Sequence, residues 1–468
     1  MDVETFVTLG LGDNSFLVAS GDEAVLIDPQ RDAWRFLEAA ERRGWHIRHV
    51  LETHVHNDYV SGALEARSVT GAEIVVHADA GPYGFPHRAI EPGDDVRIGD
   101  VRLVARAAPG HTFEHLAWEA LVPGRPEPTA VFTGGSLLVG SAGRSDLLGD
   151  DLAEQLARLQ YRTVHDLAKL PADTRVMPTH GAGSFCVSTA PSADRVSTIG
   201  AELATNVALL AEDEDVFVRQ QLASLGRYPA YYPRMAPINR AGPPILGRLP
   251  GLPALSPDEA IALSTQGAWV IDGRDRSEFA AGHVPGSINI ELDDAFGTYV
   301  GWIVPFGAPL VLVLPDPLEE SASYATAQLV RIGWDVPAGY VAGGVEAWLA
   351  SGRPTRSYPV AAMRELFERR VRDGEDLRVL DVRQPAEWRD DGAIPDSLQM
   401  FVADVPARIG ELPRDAELWV VCTTGHRATI AASLLDRAGV PVRLVARGGT
   451  VGWIERFVEP ATAGLRTA

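Results

Sequence analysis

Three histidine-bearing stretches and one cysteine loop hold the residues of this sequence whose types and spacing could do chemistry. THVHNDYVSG, residues 53–62, sets His54, His56 and Asp58 at alternate positions, APGHTFEH carries His111, and MPTHGAGSFC puts His180 six residues before Cys186. Histidines that converge from several strand ends can supply neutral imidazole ligands to zinc or iron. Near the other end, WVVCTTGHRATIAASLL reads as an apolar strand ending at Cys422, a loop of Thr423, Thr424, Gly425 and His426, and a helix starting near Arg427. Backbone N–H groups of such a loop and the positive end of the helix would surround the sulfur and stabilise an anionic persulfide. Arg427 would add a fixed positive charge, and Cys186 would face the metal pocket or fill space as a small buried residue.

The elements that must position these residues follow from the apolar patterning. Residues 1–225 alternate short strands with helices: SFLVAS and AVLIDP flank GDE as a hairpin, DAWRFLEAAERRGW has helical periodicity with Asp32 as its N-cap, and IRHVLETH is a strand feeding the His54 loop. Residues 226–255 hold seven prolines and three tyrosines. Because proline restricts its own φ and the residue before it, this stretch is expected to be an extended linker and not a helix. The remainder repeats itself. VIDGRDRSEFAAGHVPGSINI from Val270 aligns with VLDVRQPAEWRDDGAIPDSLQM from Val379, pairing Asp272 with Asp381, Arg274 with Arg383 and Glu278 with Glu387. Trp348 and Trp453 each lie four residues beyond a Gly-Gly pair. The spacing predicts one small parallel-sheet domain used twice, over 256–355 and 356–468.

Both copies resemble the rhodanese domain, through the Asp-x-Arg strand, the GHVPGSINI turn and the Gly-Gly…Trp ending. The resemblance implies that Cys422, in C-x-x-G-x-R, carries sulfur as a persulfide, with Arg427 in its anion cradle. The first copy reads LVLVLPDPLEESASYA at the matching place, with Asp316, Glu319 and Glu320 and no cysteine, so it is expected to be catalytically silent. His283 of the first copy is Ala393 in the second.

The histidine motifs, in their order, resemble the metallo-β-lactamase fold, an αββα arrangement, and more narrowly its glyoxalase II and persulfide dioxygenase branch. With two rhodanese copies behind it, the whole chain resembles the bacterial persulfide dioxygenase-rhodanese fusions. In that family the first loop reads HxHxDH and a later strand ends in TGDT, whose Asp is a ligand. Here Tyr59 and Gly135 stand in those two places. A two-metal centre is therefore not expected. One metal on His54, His56 and His111, ferrous iron or alternatively zinc, is the expected arrangement, with Asp58, His180 and Cys186 as further metal or pocket residues. The resemblance implies oxidation of a small thiol persulfide, such as glutathione persulfide, with thiosulfate or sulfite as sulfur partners. Two alternatives stay open: a sulfurtransferase whose metal-free N-terminal domain only binds, and a mononuclear zinc thioester hydrolase.

The bulk composition narrows the partners. A net charge of −21 and scattered arginines argue against nucleic acid. No apolar run approaches the roughly 20 residues of a membrane span. The acidic N-terminus has no signal-like run, and two widely separated cysteines form no disulfide framework, so a cytoplasmic location is expected. A homo-oligomer stays open.

Overall fold

The computed structural model describes residues 1–188, 192–373 and 377–453. The end of the second repeat, 454–468, lies outside the described residues. Two compact units are present: one holds Met1–Pro250 with Ala327–Asp335, the other the remaining described residues from Gly251 onward. Among the described residues no helix is long and apolar enough to cross a membrane.

The first unit is built on two six-stranded sheets. One runs from Asp2–Thr8 through the hairpin Asp13–Ser20 and Glu23–Ile27, then by parallel pairing to His46–Leu51, Glu73–His77 and Arg88–Ile90. The other orders Ser197–Thr198, Arg175–Pro178, Ala130–Gly134, Leu116–Leu121, Val101–Ala107 and Asp95–Ile98. Alternation along the strands sends one face of each sheet into a shared core, Phe16, Val18, Val25 and Ile27 against Leu103, Trp118, Phe132 and Met177. The outward faces are covered by helices. Trp34–Arg43 and Ala63–Thr70 pack on the first sheet, Asp150–Leu167 and Glu214–Ser224 on the second. This is the αββα arrangement. Asp32 does not cap its helix: the N-cap position falls at Ala33, without a side-chain cap bond.

The proline-rich segment departs from expectation. Tyr232–Ala241 is an α-helix, with Pro233 in its first turn and Pro237 inside it. Pro233 lacks only an N–H that has no intrahelical acceptor. Pro237 carries the real cost of an interior proline, about 3 kcal/mol, and burial of Tyr232, Met235, Ala236 and Asn239 on the first unit offsets it.

In the second unit the two repeats fold alike. Each has a five-stranded sheet in the same order, Ala254–Leu255, Gly339–Val341, Leu310–Val313, Trp269–Asp272, Ile288–Asn289 in the first and Val360–Ala362, Val442–Arg447, Leu418–Val421, Arg378–Asp381, Leu398–Gln399 in the second. All these pairings are parallel. The aligned Asp-x-Arg pairs do one job in both: Arg274 binds Asp272 and donates to the Gly282 carbonyl, and Arg383 binds Asp381 and donates to the Gly392 carbonyl. His283 lies between the copies, its Nε2 3.2 Å from Asp436 Oδ2. Ala393 of the second copy has no such duty.

Candidate metal centre and cysteine loop

The histidine loops meet at one end of the two-sheet core. His54 and His56 lie just beyond the strand His46–Leu51, His111 after Val101–Ala107, and His180 after Arg175–Pro178, and all four are buried. Hydrogen bonds fix where the lone pairs point. Thr53 Oγ1 donates to Asp28 Oδ2 at 2.7 Å, so it accepts from His54 Nδ1 at 2.9 Å. His111 Nδ1 donates to the Arg144 carbonyl at 2.7 Å, and His180 Nδ1 donates to Asp13 Oδ1 at 2.8 Å. Each ring therefore keeps an unprotonated Nε2. The Nε2 atoms of His54 and His180 stand 3.4 Å apart, and Nε2 of His111 has no partner although it is buried. Burial, together with the neighbouring imidazoles, holds His54 and His111 well below their ordinary pKa, and burial lowers His180 as well. Neutral nitrogen lone pairs facing one another in a dry pocket fit a divalent metal.

The structure regroups the expected ligands. Donor atoms of His54, His56 and His180 lie within 4.8 Å of one another, as do those of His111, His180 and Cys186, and those of Asp13, Asp58 and His180. His180 belongs to all three of these groups, and a fourth joins Asp28, Glu52 and His56. His56 is turned differently from the others. Its Nε2 lies 3.0 Å from Glu52 Oε2 and 3.2 Å from Asp28 Oδ1. Burial opposes its protonation, but Asp28 and Glu52 outweigh it and hold its pKa well above the ordinary value. Its Nδ1 has no partner. Tyr59 stacks on His56 at 4.4 Å and its hydroxyl donates to the Asp28 carbonyl at 3.2 Å, so the phenol braces His56. Asp58 lies 3.5 Å from His180 Nδ1 beside Asp13. Burial pushes both carboxyls up to about 7, and for Asp58 the Asp13 charge adds to it.

At Gly135 the space of the missing aspartate is filled. A Cβ there would sit 2.3 Å from His111 Cδ2, and a Cβ at Gly134 2.5 Å from His115 Nε2. His115 accepts the Gly135 N–H at 2.8 Å and stacks on His54 at 4.9 Å. Burial pushes it down to about 3, and its lone pair is spent on the backbone. Sequence reasoning passed over His115, although it sits in the same HTFEH run. It also passed over Asn239, whose amide donates to the carbonyls of His56 and Tyr59, both at 2.9 Å, and accepts the Ser61 N–H at 2.8 Å.

The cysteine loop lies in the second repeat. Cys422 follows Leu418–Val421, and the Gly425 N–H donates to its sulfur at 3.1 Å. Gly425 has φ +97° and opens the helix His426–Arg437. Arg427 is held bidentate by Glu387, with Nη2 2.8 Å from Oε1 and 3.1 Å from Thr423 Oγ1. Thr423 Oγ1 in turn donates to Glu387 Oε1 at 2.9 Å. The positive side of the cradle is thus the backbone N–H and helix end, while the Arg427 charge is largely matched by Glu387. The first repeat completes the rim: Arg276 Nη1 donates to the Thr424 carbonyl at 2.6 Å, and the Tyr299 ring meets His426 edge-on at 4.8 Å. His426 Nδ1 also lies 3.5 Å from Asp293. The aligned pair Glu278 and Glu387 was a sequence signal for Glu387.

The family model of the metallo-beta-lactamase superfamily matches residues 9–180. A hydroxyacylglutathione hydrolase of Cereibacter sphaeroides is 34% identical over 186 residues, 38% of this chain and 67% of that protein. The chain belongs to the metallo-beta-lactamase superfamily. The rhodanese-like domain model matches it twice, at 256–351 and 363–456. Human mitochondrial persulfide dioxygenase is 32% identical over 170 residues, 36% of this chain and 62% of that protein. Among solved structures, a metallo-beta-lactamase from Staphylococcus aureus subsp. aureus COL superposes with a TM-score of 0.65 at 27% identity, over 73% of this chain and 99% of that one. This superfamily member therefore joins a metallo-beta-lactamase domain to tandem rhodanese-like domains.

Proposed function

We propose that the chain oxidises a small thiol persulfide at one metal in the imidazole pocket and moves sulfane sulfur through Cys422. The observation that carries this reading is the pairing in one chain of inward Nε2 lone pairs on His54, His111 and His180 with a cysteine whose sulfur receives a backbone N–H. The likeness to a persulfide dioxygenase and to rhodanese-like domains supports it.

His54, His111 and His180 would hold the metal, with His56 Nδ1 also within the pocket. Ferrous iron there would supply an electrophilic centre for a persulfide sulfur and access to dioxygen. Thr53, the Arg144 carbonyl and Asp13 fix the tautomers, so that each ring offers Nε2. The net reaction is RSSH + O2 + H2O → RSH + sulfite + 2 H+, in which the outer sulfur loses four electrons to dioxygen. At Cys422 the thiolate attacks the outer sulfur of a donor such as thiosulfate; the Sγ–S bond forms and sulfite leaves with the electron pair of the broken S–S bond. An acceptor thiolate then attacks that outer sulfur and Cys422 leaves as thiolate. The Gly425 N–H and the helix end stabilise each anionic sulfur.

The test is oxygen uptake by protein reconstituted anaerobically with ferrous iron and then given glutathione persulfide. Uptake with matching sulfite, lost in His111→Ala, is the expected result. A second reading, zinc-dependent thioester hydrolysis, is favoured by the hydroxyacylglutathione hydrolase relatives. Thioester cleavage without oxygen, and no uptake, would put it in place of the first.

A further inference from the structure

Cys186 brings an anion-forming donor into the imidazole pocket. Its sulfur and donor atoms of His111 and His180 lie within 4.8 Å of one another, and all three residues are wholly buried. Nε2 of His111 is unpartnered there. The thiol itself makes only a long contact, 4.0 Å, with the Tyr232 hydroxyl. One peptide unit fixes both groups: the Arg144 carbonyl accepts from His111 Nδ1 at 2.7 Å, and the Arg144 N–H donates to the Cys186 carbonyl at 2.9 Å. The Arg144 guanidinium holds the adjoining Phe185 carbonyl at 2.8 Å, and Ser184 Oγ accepts the Cys186 N–H at 3.2 Å. The cysteine is thus positioned by backbone on both sides. Asp13 and Asp58 compete poorly for the same role, because both lie against His180 Nδ1, at 2.8 and 3.5 Å.

We propose that Cys186 is a metal ligand, its thiolate joining His111 and His180 and supplying a negative ligand charge beside the neutral imidazoles. The thiol proton leaves to solvent as the metal binds, with no change of oxidation state. A thiolate with two imidazoles accepts zinc, cobalt or ferrous iron. This inference rests on the proposed metal-bearing reading of the pocket.

Cobalt(II) loaded into the full chain tests it, because a cobalt–thiolate bond gives a near-ultraviolet charge-transfer band, separate from the visible d–d bands that any cobalt site shows. The chain has only two cysteines, Cys186 and Cys422. The band is expected in the wild type and in Cys422→Ser, and is expected to vanish in Cys186→Ser and Cys186→Ala while d–d bands persist. Cobalt affinity should fall in both Cys186 variants by at least the roughly 10- to 100-fold that loss of a group hydrogen-bonded to a ligand costs. A wild-type spectrum with d–d bands and no charge-transfer band overturns the ligand and leaves the metal reading standing, as does a band lost in Cys422→Ser and kept in Cys186→Ser. No bound cobalt at all overturns both.

Discussion

Two imidazole lone pairs 3.4 Å apart repel unless something positive lies between them, and the Nδ1 hydrogen bonds to Thr53 and Asp13 prevent His54 and His180 from turning away. That constraint makes single residues decisive. Tyr59→Phe removes a hydroxyl that donates to Asp28 and braces His56, and should cost about 1–2 kcal/mol by denaturant unfolding while metal content stays unchanged. Metal loss in that variant would mean the phenol is a ligand. Gly135→Asp appears from the motif alone to restore a ligand. The structure reverses the expectation, because the new Cβ meets the His111 ring at 2.3 Å. The substitution should lower metal content and cost about 1–3 kcal/mol through overpacking; a rise in metal affinity would refute this placement of His111. The histidines themselves were legible in sequence because their spacing is local. The filling of the Gly134 and Gly135 space by His111 and His115 was not, since it depends on two separate loops meeting.

At the scale of elements, the helix Tyr232–Ala241 serves the metal loop through Asn239. Asn239→Ala leaves the His56 and Tyr59 carbonyls and the Ser61 N–H without this partner, and should cost at least about 2 kcal/mol and speed metal release in a chelator chase. Unchanged release would detach the helix from the site. The proline count hid this element, because proline content reports the penalty inside a helix and says nothing of the burial that offsets it. The cysteine loop depends likewise on Glu387 in the neighbouring helix Pro385–Asp390. Burial works to raise the Glu387 pKa, but Arg427 overrides it and holds the carboxyl below its ordinary value. Because the folded pKa is depressed, the stability from this pair is present above the unfolded pKa and lost as pH falls through the folded one. Glu387→Gln should therefore be about 1–2 kcal/mol less stable than wild type at neutral pH, the gap closing below the ordinary carboxylate range. A pH-independent gap would show that packing, not charge, joins them.

For the whole molecule, the repeat was readable from strands and their Asp-x-Arg pairs, and both copies carry the same parallel sheet. The contribution of the first repeat to the Cys422 rim, through Arg276 and Tyr299, was not readable, because those positions look unremarkable within their own repeat. The two proposed chemistries, placed at two sites, are separable. Cys422→Ser should abolish thiosulfate-to-thiol sulfur transfer and leave persulfide-dependent oxygen uptake intact; loss of both would merge the sites into one catalytic unit. Both the proposed oxidation and the proposed thiolate ligand require the histidine pocket to hold one metal. Native mass spectrometry of the reconstituted full chain measures this most directly. One metal per chain, retained in Cys422→Ser and lost in His180→Ala, is the predicted result. Two metals per chain, or one that survives His180→Ala, would contradict it.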